Sequence, residues 1–217
     1  MNPSNTTIVV SRYNRPTLWT RDLTNKGYRV IIYDHGLGDM QSPYNLGKNK
    51  GKEASAYLKY IVDHYDSLTP YTVFLHDEET AWHHRGKIQD RVLEHQGKRD
   101  KYKSFNSATC GDIRNGYWKE MQAFFKRYLE PYIGSASKYG NWTLGELCCA
   151  QFVVSRSLIK QHPKKMYSDA FKWIMNTNLD YEITGRLFEW TWRIIFNPSP
   201  SSTSRATATV STGAFGA

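Results

Sequence analysis

Three short apolar runs, each followed directly by polar residues, place the strongest constraint on how this chain can fold. The runs cover residues 6–10, 28–33 and 71–75 and are rich in the β-branched and aromatic residues that favour strands. Between the last two runs, apolar residues recur every three or four positions over residues 51–68, which is the period of a helix with one buried face. Strands that alternate with helices predict an α/β sandwich whose central sheet is mostly parallel and flanked by helices.

The second half of the chain continues this alternation. Its patterns predict a helix over residues 113–132, a buried strand over 147–154, and helices over 157–161, 167–175 and 181–196. Residues 80–107 are polar and basic and give no clear prediction. We therefore predict one three-layer domain over residues 1–196, which is long enough to bury a substantial core without disulfides or metals. Residues 197–217 are rich in Ser, Thr, Pro and Ala and predict a linker or tail that leads to further domains of a longer polypeptide.

The composition excludes several classes of protein. With 40% hydrophobic and 14% aromatic residues, the chain is neither intrinsically disordered nor a simple coiled coil. No stretch approaches the roughly 18 consecutive apolar residues of a membrane span, and the first residues lack the basic and apolar segments of a signal sequence. We therefore expect a cytoplasmic protein with reduced thiols at Cys110, Cys148 and Cys149, and with unused glycosylation sequons at Asn5 and Asn141.

The net charge of +9 is compatible with binding to nucleic acid, to an anionic membrane surface or to a phosphorylated small molecule. The densest basic runs cover residues 48–52 and 98–103. Fifteen Tyr could stack on a single strand, so a single-stranded nucleic-acid-binding domain is the alternative from outside the enzymes. The aromatic residues, however, fall on predicted buried helix faces and no nucleic-acid-binding module is recognisable, which makes nucleic acid the less favoured partner.

Polar groups cluster where the three predicted strands end. The first strand is followed by Ser11, Arg12, Tyr13 and Asn14, the second by Asp34, and the third by Asp77, Glu78 and Glu79. In an open α/β sheet, ligands bind beyond the carboxyl ends of the strands. Two acids separated by one residue can both face one cleft there, where carboxylate oxygens hold Mg²⁺ or Mn²⁺ and the metal holds a diphosphate. The sequence therefore predicts a metal and phosphate site at this edge of the sheet.

Histidines near these acids leave a second enzymatic alternative open. His76, His83 and His84 surround the acids, and the neighbouring pair His76 and Asp77 is similar to the motifs of metal-dependent phosphohydrolases, which need further His and Asp ligands from elsewhere. One of these histidines could equally complete the metal shell of a transferase. Gln41 occupies the third glycine position of a dinucleotide fingerprint, and the chain contains no G-x-S-x-G nucleophile elbow, so those two sites are excluded.

The order of these pieces resembles the glycosyltransferase A fold, in particular the large family-two type of nucleotide-sugar transferases. In that family a first strand ends in a small polar residue and an Asn-containing loop, and a second strand ends in Asp before a Gly-containing turn. An Asn-x-Gly then opens a helix, and the next strand carries the metal motif. The corresponding segments here are residues 9–14, 31–36, 49–54 and 74–79. Over the whole chain, the sequence is similar to little-characterised members such as the amino-terminal domains of multidomain chlorovirus glycosyltransferases that decorate the capsid protein.

The resemblance implies a UDP-sugar donor, a divalent metal that is usually Mn²⁺ (or else Mg²⁺), and transfer of a hexose or deoxyhexose to a hydroxyl of a glycan acceptor. Glycan synthesis on a viral capsid glycoprotein is the implied setting, while the sugar and the stereochemical course stay open. The implied donor-binding residues are Ser11, Arg12, Tyr13 and Asn14 around the uridine, Asp34 on the base or ribose, and Asn49 and Lys52 near the donor. Lys52 would balance the charge of the diphosphate.

The same resemblance implies the catalytic acids. Asp77 and Glu79 stand where the family has its Asp-x-Asp, and Glu78 is the alternative metal ligand because Glu79 is longer than the Asp it replaces. An inverting transferase also needs a carboxylate as general base, whereas in a retaining one the leaving phosphate can serve. The candidates for this base are Glu146, which we predict, and Glu182 and Glu189 as alternatives.

Overall fold

The computed structural model describes residues 2–36, 38–95, 101–107, 117–135 and 150–196. The strands within these ranges are β1 (Thr6–Arg12), β2 (Arg29–Asp34), β3 (Tyr71–His76), β4 (Tyr102–Ser104) and β5 (Phe152–Ser155). They form one open five-stranded sheet in the order β2-β1-β3-β5-β4. The predicted tail over 197–217, the three cysteines, Glu146 and Asn141 lie outside the described residues.

The sheet is mixed. β1 is parallel to both β2 and β3, whereas β5 is antiparallel to β3 and β4 is antiparallel to β5. The predicted α/β class and the first three strands are confirmed, and the parallel arrangement expected for most of the sheet holds for β1, β2 and β3. The sequence does not predict β4, because its three residues form an edge strand too short to show the alternation of a strand.

The helices surround the sheet and join its strands. Those that the structure describes are α1 (Thr20–Asn25), α2 (Glu53–His64), α3 (Ile88–Glu94), α4 (Trp118–Phe124), α5 (Glu130–Ile133), α6 (Arg156–Ile159), α7 (Lys164–Asn176), α8 (Tyr181–Glu189) and α9 (Trp192–Phe196). A π-helical segment, Phe125–Leu129, joins α4 to α5. Within the described ranges, no helix is both long enough and apolar enough to cross a membrane.

The single helix predicted over residues 181–196 is two helices, α8 and α9. The backbone tightens at the junction, where the N–H of Thr191 donates to the carbonyl of Phe188, three residues back. The hydroxyl of Thr191 donates to the carbonyl of Leu187 at 2.9 Å. A side chain that bonds the preceding turn in this way competes with the regular backbone ladder, and the apolar period alone does not reveal it.

Side chains of β1 alternate between two apolar clusters, one on each face of the sheet. Val9 belongs to the larger cluster, which includes Phe74 of β3 and Phe152 of β5 and packs under α2, α7 and α8. Ile8 and Val10 belong to the smaller cluster beneath α1 and α3. All five side chains are fully buried, and burying one such side chain contributes roughly 1.5–3 kcal/mol. The two clusters therefore fix the strands, and with them the strand ends, between two layers of helices.

The turn before α2 requires glycine at position 51. Gly51 has a φ of +69°, and a Cβ at this position would lie 2.7 Å from Cγ2 of Ile174 in α7. Glycine adopts this left-handed backbone without strain and leaves room for the neighbouring helix. The turn brings Asn49 and Lys52 to the edge of the sheet where β1 and β3 end.

Candidate functional site

A cleft of about 430 Å³ lies at the carboxyl ends of β1 and β3, next to the start of α2 and to α8. Its volume falls within the range of small-molecule sites in proteins. Side chains from separate parts of the chain line it: Ser11, Tyr13, Arg15, His35, Asn49, Lys52, Glu53, His76, Asp77, Glu78, Trp82, His83, Ala150, Tyr181, Glu182, Arg186 and Glu189. The cleft therefore lies at the edge of the sheet where the sequence predicts a site.

Hydrogen bonds tie the strand ends together beneath this cleft. The backbone N–H of Tyr13, after β1, donates to Oδ2 of Asp77 at 2.8 Å, and Nε1 of Trp19 donates to the carbonyl of Asp77 at 2.9 Å. Oγ of Ser11 lies 2.9 Å from Nε2 of His35, the residue that follows β2. These contacts hold the ends of β1, β2 and β3 in one framework.

A group of potential metal ligands lies at one end of the cleft. His76, Glu78 and His83 each offer one ligand atom, and these atoms lie within 4.8 Å of one another. The Nε2 atoms of His76 and His83 are 3.0 Å apart, and Oε2 of Glu78 is 3.8 Å from Nδ1 of His76. We call these three residues the histidine end of the cleft.

Burial favours the neutral form of two histidines of the cleft, His76 and His35. It lowers the pKa of His76 to about 3, and the neighbouring His83 and His84 lower it further in the same direction. It also lowers the pKa of His35 to about 4. A neutral imidazole keeps a lone pair on one ring nitrogen, so His76 can act as a metal ligand without first losing a proton.

The structure separates the predicted acid pair, Asp77 and Glu79. Asp77 lines the cleft, and burial raises the pKa of its carboxyl group although the N–H of Tyr13 opposes this shift. The carboxylate of Glu79 instead pairs with Lys87 at 2.9 Å and accepts from Nε2 of Gln89 at 2.7 Å. Glu79 is not among the described residues that line the cleft. Glu78, the alternative ligand, is the acid that joins the histidine group.

The other residues predicted to bind the UDP-sugar donor also fall into two groups, because some line the cleft and others do not. Ser11, Tyr13, Asn49 and Lys52 line the cleft. Arg12 and Asp34 instead face each other across β1 and β2, where Nε of Arg12 donates to Oδ2 of Asp34 at 2.9 Å. Asp34 also accepts from the N–H of Gly36 at 2.7 Å.

Asn14 and Glu146 complete the set of predicted residues. Asn14 is exposed, has a φ of 55°, and does not belong to the described lining of the cleft. Glu146 lies outside the described residues.

A second charged group lies where α2 and α8 border the cleft. It consists of Glu53, Glu189 and Arg186. We call it the carboxyl end of the cleft, after its two carboxylates, and it is distinct from the carboxyl ends of the strands. Nη1 of Arg186 donates to Oε2 of Glu189 at 3.0 Å. Burial and the nearby Glu189 raise the pKa of Glu53 well above its ordinary range. The sequence names Glu189 as an alternative base but misses Glu53, which sequence periodicity marks only as the first turn of a helix.

Exposed rings and an acidic lining complete the site. Tyr13, Trp82 and Tyr181 line the cleft and are 48%, 80% and 42% exposed. When the histidines are counted as neutral and all five acids as ionised, the described lining has a formal charge of −2, although the whole chain carries +9. This balance comes from three basic residues, Arg15, Lys52 and Arg186, against five acidic ones, Glu53, Asp77, Glu78, Glu182 and Glu189.

Comparison with known proteins identifies the family but not an activity. The chain belongs to the family described as "Protein of unknown function (DUF3431)", which it matches over residues 8–212. No curated protein matches the chain, and no solved structure does.

Proposed function

We propose that this chain is a metal-dependent glycosyltransferase of the glycosyltransferase A type, which moves a hexose or deoxyhexose from a UDP-sugar to a glycan hydroxyl. One observation carries the proposal: a single cleft at the carboxyl ends of β1 and β3 combines a group of metal ligands, basic side chains and exposed rings. The three parallel strands β2-β1-β3, each followed by polar residues at the same edge, also support this fold assignment.

The acidic lining of the cleft supports metal dependence. Even with Glu53 protonated, as its raised pKa favours, the described lining carries a formal charge of −1 and would repel a bare diphosphate. The residues present fit a divalent cation, since His76, Glu78 and His83 would hold it through ligand atoms that already lie together. When bound, such a cation supplies charge that binds the donor diphosphate and stabilises the departing UDP. The same lining disfavours a polyanionic nucleic acid strand in this cleft.

The remaining side chains of the cleft would bind and orient the two substrates. Lys52 can reach a diphosphate by exchanging its present partner, Glu182, whose carboxylate lies 2.8 Å from Nζ. The exposed ring of Tyr13 offers a stacking surface for uracil beside the hydroxyl of Ser11. Trp82 and Tyr181 offer apolar faces to the sugars.

Glu53 is suited to take the proton of the acceptor hydroxyl. A general base works best when its pKa lies near the working pH, and both burial and Glu189 raise the pKa of Glu53 from its usual acidic range. Glu53 also faces the same cleft as the metal ligands, so the donor and the base can meet there. The proton would pass from the acceptor oxygen to the carboxylate of Glu53 as the new glycosidic bond forms.

Thermal unfolding in the presence of nucleotides tests the proposal. A ligand that binds the native state raises its stability by mass action. We expect UDP to raise the unfolding temperature only when a divalent metal is present, and GDP and CMP to have much smaller effects. Equal stabilisation by all three nucleotides, or by UDP without metal, would contradict the proposal. A gel shift with single-stranded oligonucleotides at several salt concentrations tests the nucleic-acid alternative.

A metal-dependent phosphohydrolase is the second candidate, because two histidines and a carboxylate converge in the cleft. Incubation of UDP-sugars with the metal-loaded protein separates the two functions. A hydrolase that cleaves the diphosphate bond with water releases UMP and a sugar 1-phosphate at full rate without an acceptor. A transferase needs a glycan acceptor for rapid turnover and forms a new glycoside that NMR detects.

A further inference from the structure

We propose that His76, Glu78 and His83 form a transition-metal centre with two imidazole ligands and one carboxylate ligand. Their ligand atoms lie within 4.8 Å of one another, and the two Nε2 atoms are 3.0 Å apart. Two nitrogens that bind one metal at about 2.0–2.1 Å lie roughly 3–3.4 Å apart at the usual coordination angles. In the metal-free chain this contact is a hydrogen bond whose proton lies on Nε2 of His76, because Nδ1 of His76 accepts from the N–H of Glu78 at 3.4 Å. Once that proton moves to Nδ1, the two rings have the spacing that shared coordination requires.

Asn106 orients the ring of His83 through a hydrogen bond to Nδ1, the ring nitrogen that does not face His76. Nδ2 of Asn106 lies 3.4 Å from the backbone carbonyl of Gln151, to which it donates, so Oδ1 is the atom that faces Nδ1 of His83, at 2.8 Å. An amide oxygen only accepts, so Nδ1 of His83 carries the proton and Nε2 keeps its lone pair towards His76. Histidine metal ligands commonly donate their second nitrogen to a fixed acceptor in this way.

The two oxygens of Glu78 face different groups. Oε1 accepts from Nη1 of Arg15 at 2.6 Å, whereas Oε2 faces Nδ1 of His76 at 3.8 Å. The ion pair therefore holds the carboxylate through one oxygen, and the other lies beside Nδ1 of His76, the ring nitrogen that does not face His83. A ligand oxygen of Glu78 nevertheless lies within 4.8 Å of a ligand atom of each histidine. Glu78 can keep Arg15 and bind a metal at the same time.

The acids on either side of Glu78 are engaged elsewhere. Asp77 accepts the N–H of Tyr13 through Oδ2, and Glu79 is held by Lys87 and Gln89. The acid-x-acid pattern thus does not bring its two carboxylates to one point. The ligand set that we infer uses the residue between them, together with two histidines.

This ligand set determines which metals fit. Imidazole nitrogens suit Zn²⁺, Co²⁺ and Ni²⁺, whereas Mg²⁺ prefers a shell made of oxygens. Three protein ligands leave coordination positions open, as in catalytic rather than structural sites. These positions face the cleft, where they can take diphosphate oxygens. Only this last step rests on the proposed transferase function, and the metal assignment does not.

Metal binding to the metal-stripped, full 217-residue chain tests the inference. Calorimetric titration and visible absorption should show one Co²⁺ per chain, with the ligand-field bands of a nitrogen-containing shell. We expect Mg²⁺ to bind at least about 100-fold more weakly than Co²⁺. Glu78→Gln should weaken Co²⁺ binding by about 100-fold or more, and Asn106→Ala by about 10- to 100-fold.

Glu79→Gln is the matched control, because Glu78 and Glu79 are adjacent acids whose side chains are 33% and 35% exposed. It should bind Co²⁺ as the unmodified chain does. Circular dichroism and thermal unfolding of the metal-free variants check that each of them folds. Unchanged affinity in Glu78→Gln, loss in Glu79→Gln, or equal affinity for Mg²⁺ and Co²⁺ would each overturn the inference. No nucleotide enters the experiment, so its outcome is independent of the transferase proposal.

Discussion

Burial shifts the pKa values of the titratable groups at the two ends of the cleft in opposite directions. At the histidine end, burial lowers the pKa of His76 and leaves the imidazole neutral. At the carboxyl end, burial together with Glu189 raises the pKa of Glu53. Removal from water disfavours the charged form of either group, which is the protonated imidazole in one case and the ionised carboxylate in the other. In the function that we propose, the same physical effect would prepare a metal ligand at one end and a group for proton transfer at the other.

The sharpest way to separate the two ends is Glu53→Gln, which keeps the size of the side chain but removes its titration. We expect kcat with a UDP-sugar and a glycan acceptor to fall by roughly 10²- to 10⁴-fold, because the base is lost. Co²⁺ affinity, which depends on the histidine end, should not change. Steady-state kinetics and calorimetry measure the two quantities.

Glu94→Gln, an exposed change on α3, is the control for this variant and should keep full turnover. A loss of Co²⁺ binding in Glu53→Gln would mean that the two ends are not independent. Unchanged turnover would mean that Glu53 does not take the proton.

Gly51→Ala tests how the turn before α2 positions the carboxyl end. The alanine must keep the backbone φ of +69°, and its Cβ would lie 2.7 Å from Cγ2 of Ile174. Gly86 has the same φ of +69° with nothing within 4 Å of its Cβ, so Gly86→Ala isolates the cost of the backbone alone. We expect a loss in unfolding free energy of about 1 kcal/mol for Gly86→Ala and about 2–3 kcal/mol for Gly51→Ala.

Chemical denaturation of both glycine variants measures these losses. Equal losses would show that Ile174 moves aside at no cost. Because Gly51 precedes Lys52 and Glu53, Gly51→Ala should also reduce turnover while Co²⁺ affinity stays unchanged.

The raised pKa of Glu53 also predicts how stability depends on pH. The folded state holds the Glu53 proton more tightly than the unfolded chain, whose pKa is near 4.5, so this contribution is present below that pH and is lost as pH rises. Glu53→Gln does not suffer this loss. Its unfolding free energy relative to the unmodified chain should therefore increase between about pH 5 and about pH 8, by on the order of 2 kcal/mol. Denaturation at several pH values measures this difference, and a constant or decreasing difference would contradict the assigned shift.

The smallest expected effect concerns the ion pair between Lys52 and Glu182 at the rim of the carboxyl end. Glu182→Gln frees Lys52 from a partner at 2.8 Å. Because exposed ion pairs contribute about 0.2–1 kcal/mol, UDP should bind roughly two- to fivefold more tightly to the metal-loaded variant. Calorimetric titration measures this, with Glu94→Gln as the control. Weaker UDP binding in Glu182→Gln would place Lys52 outside the diphosphate site.

Local pattern was enough to predict which strand ends border the cleft. The strands β1, β2 and β3 and the helix α2 follow the apolar period of their own residues, so they could be predicted with the strand ends correct to within two residues. The helix α2 is shorter than predicted and ends at His64, not near residue 68. Ser11, Tyr13 and Asp77 consequently line the cleft as expected. The parts of the fold that depend only on short-range sequence could therefore be predicted.

Contacts between residues that are distant in the sequence could not be predicted in this way. Arg12 and Asp34 neutralise each other because the register of β1 and β2 sets them side by side, which the sequence does not display. Glu53 and Glu189 meet because α2 and α8 pack together. The side chain of Glu79 points away from the cleft because it forms an ion pair with Lys87. The acid-x-acid spacing specifies which residues are near the strand end but not which carboxylate faces the cleft.

A crystal structure of the chain with Co²⁺ and UDP, with anomalous scattering to locate the metal, tests most directly where the metal and the donor bind. We expect an anomalous peak between His76, Glu78 and His83, with the UDP diphosphate on the cleft side of the metal and Lys52 beside it. A metal bound by Asp77 and Glu79 instead would contradict the inferred ligand set. UDP bound outside this cleft would contradict the proposed function itself.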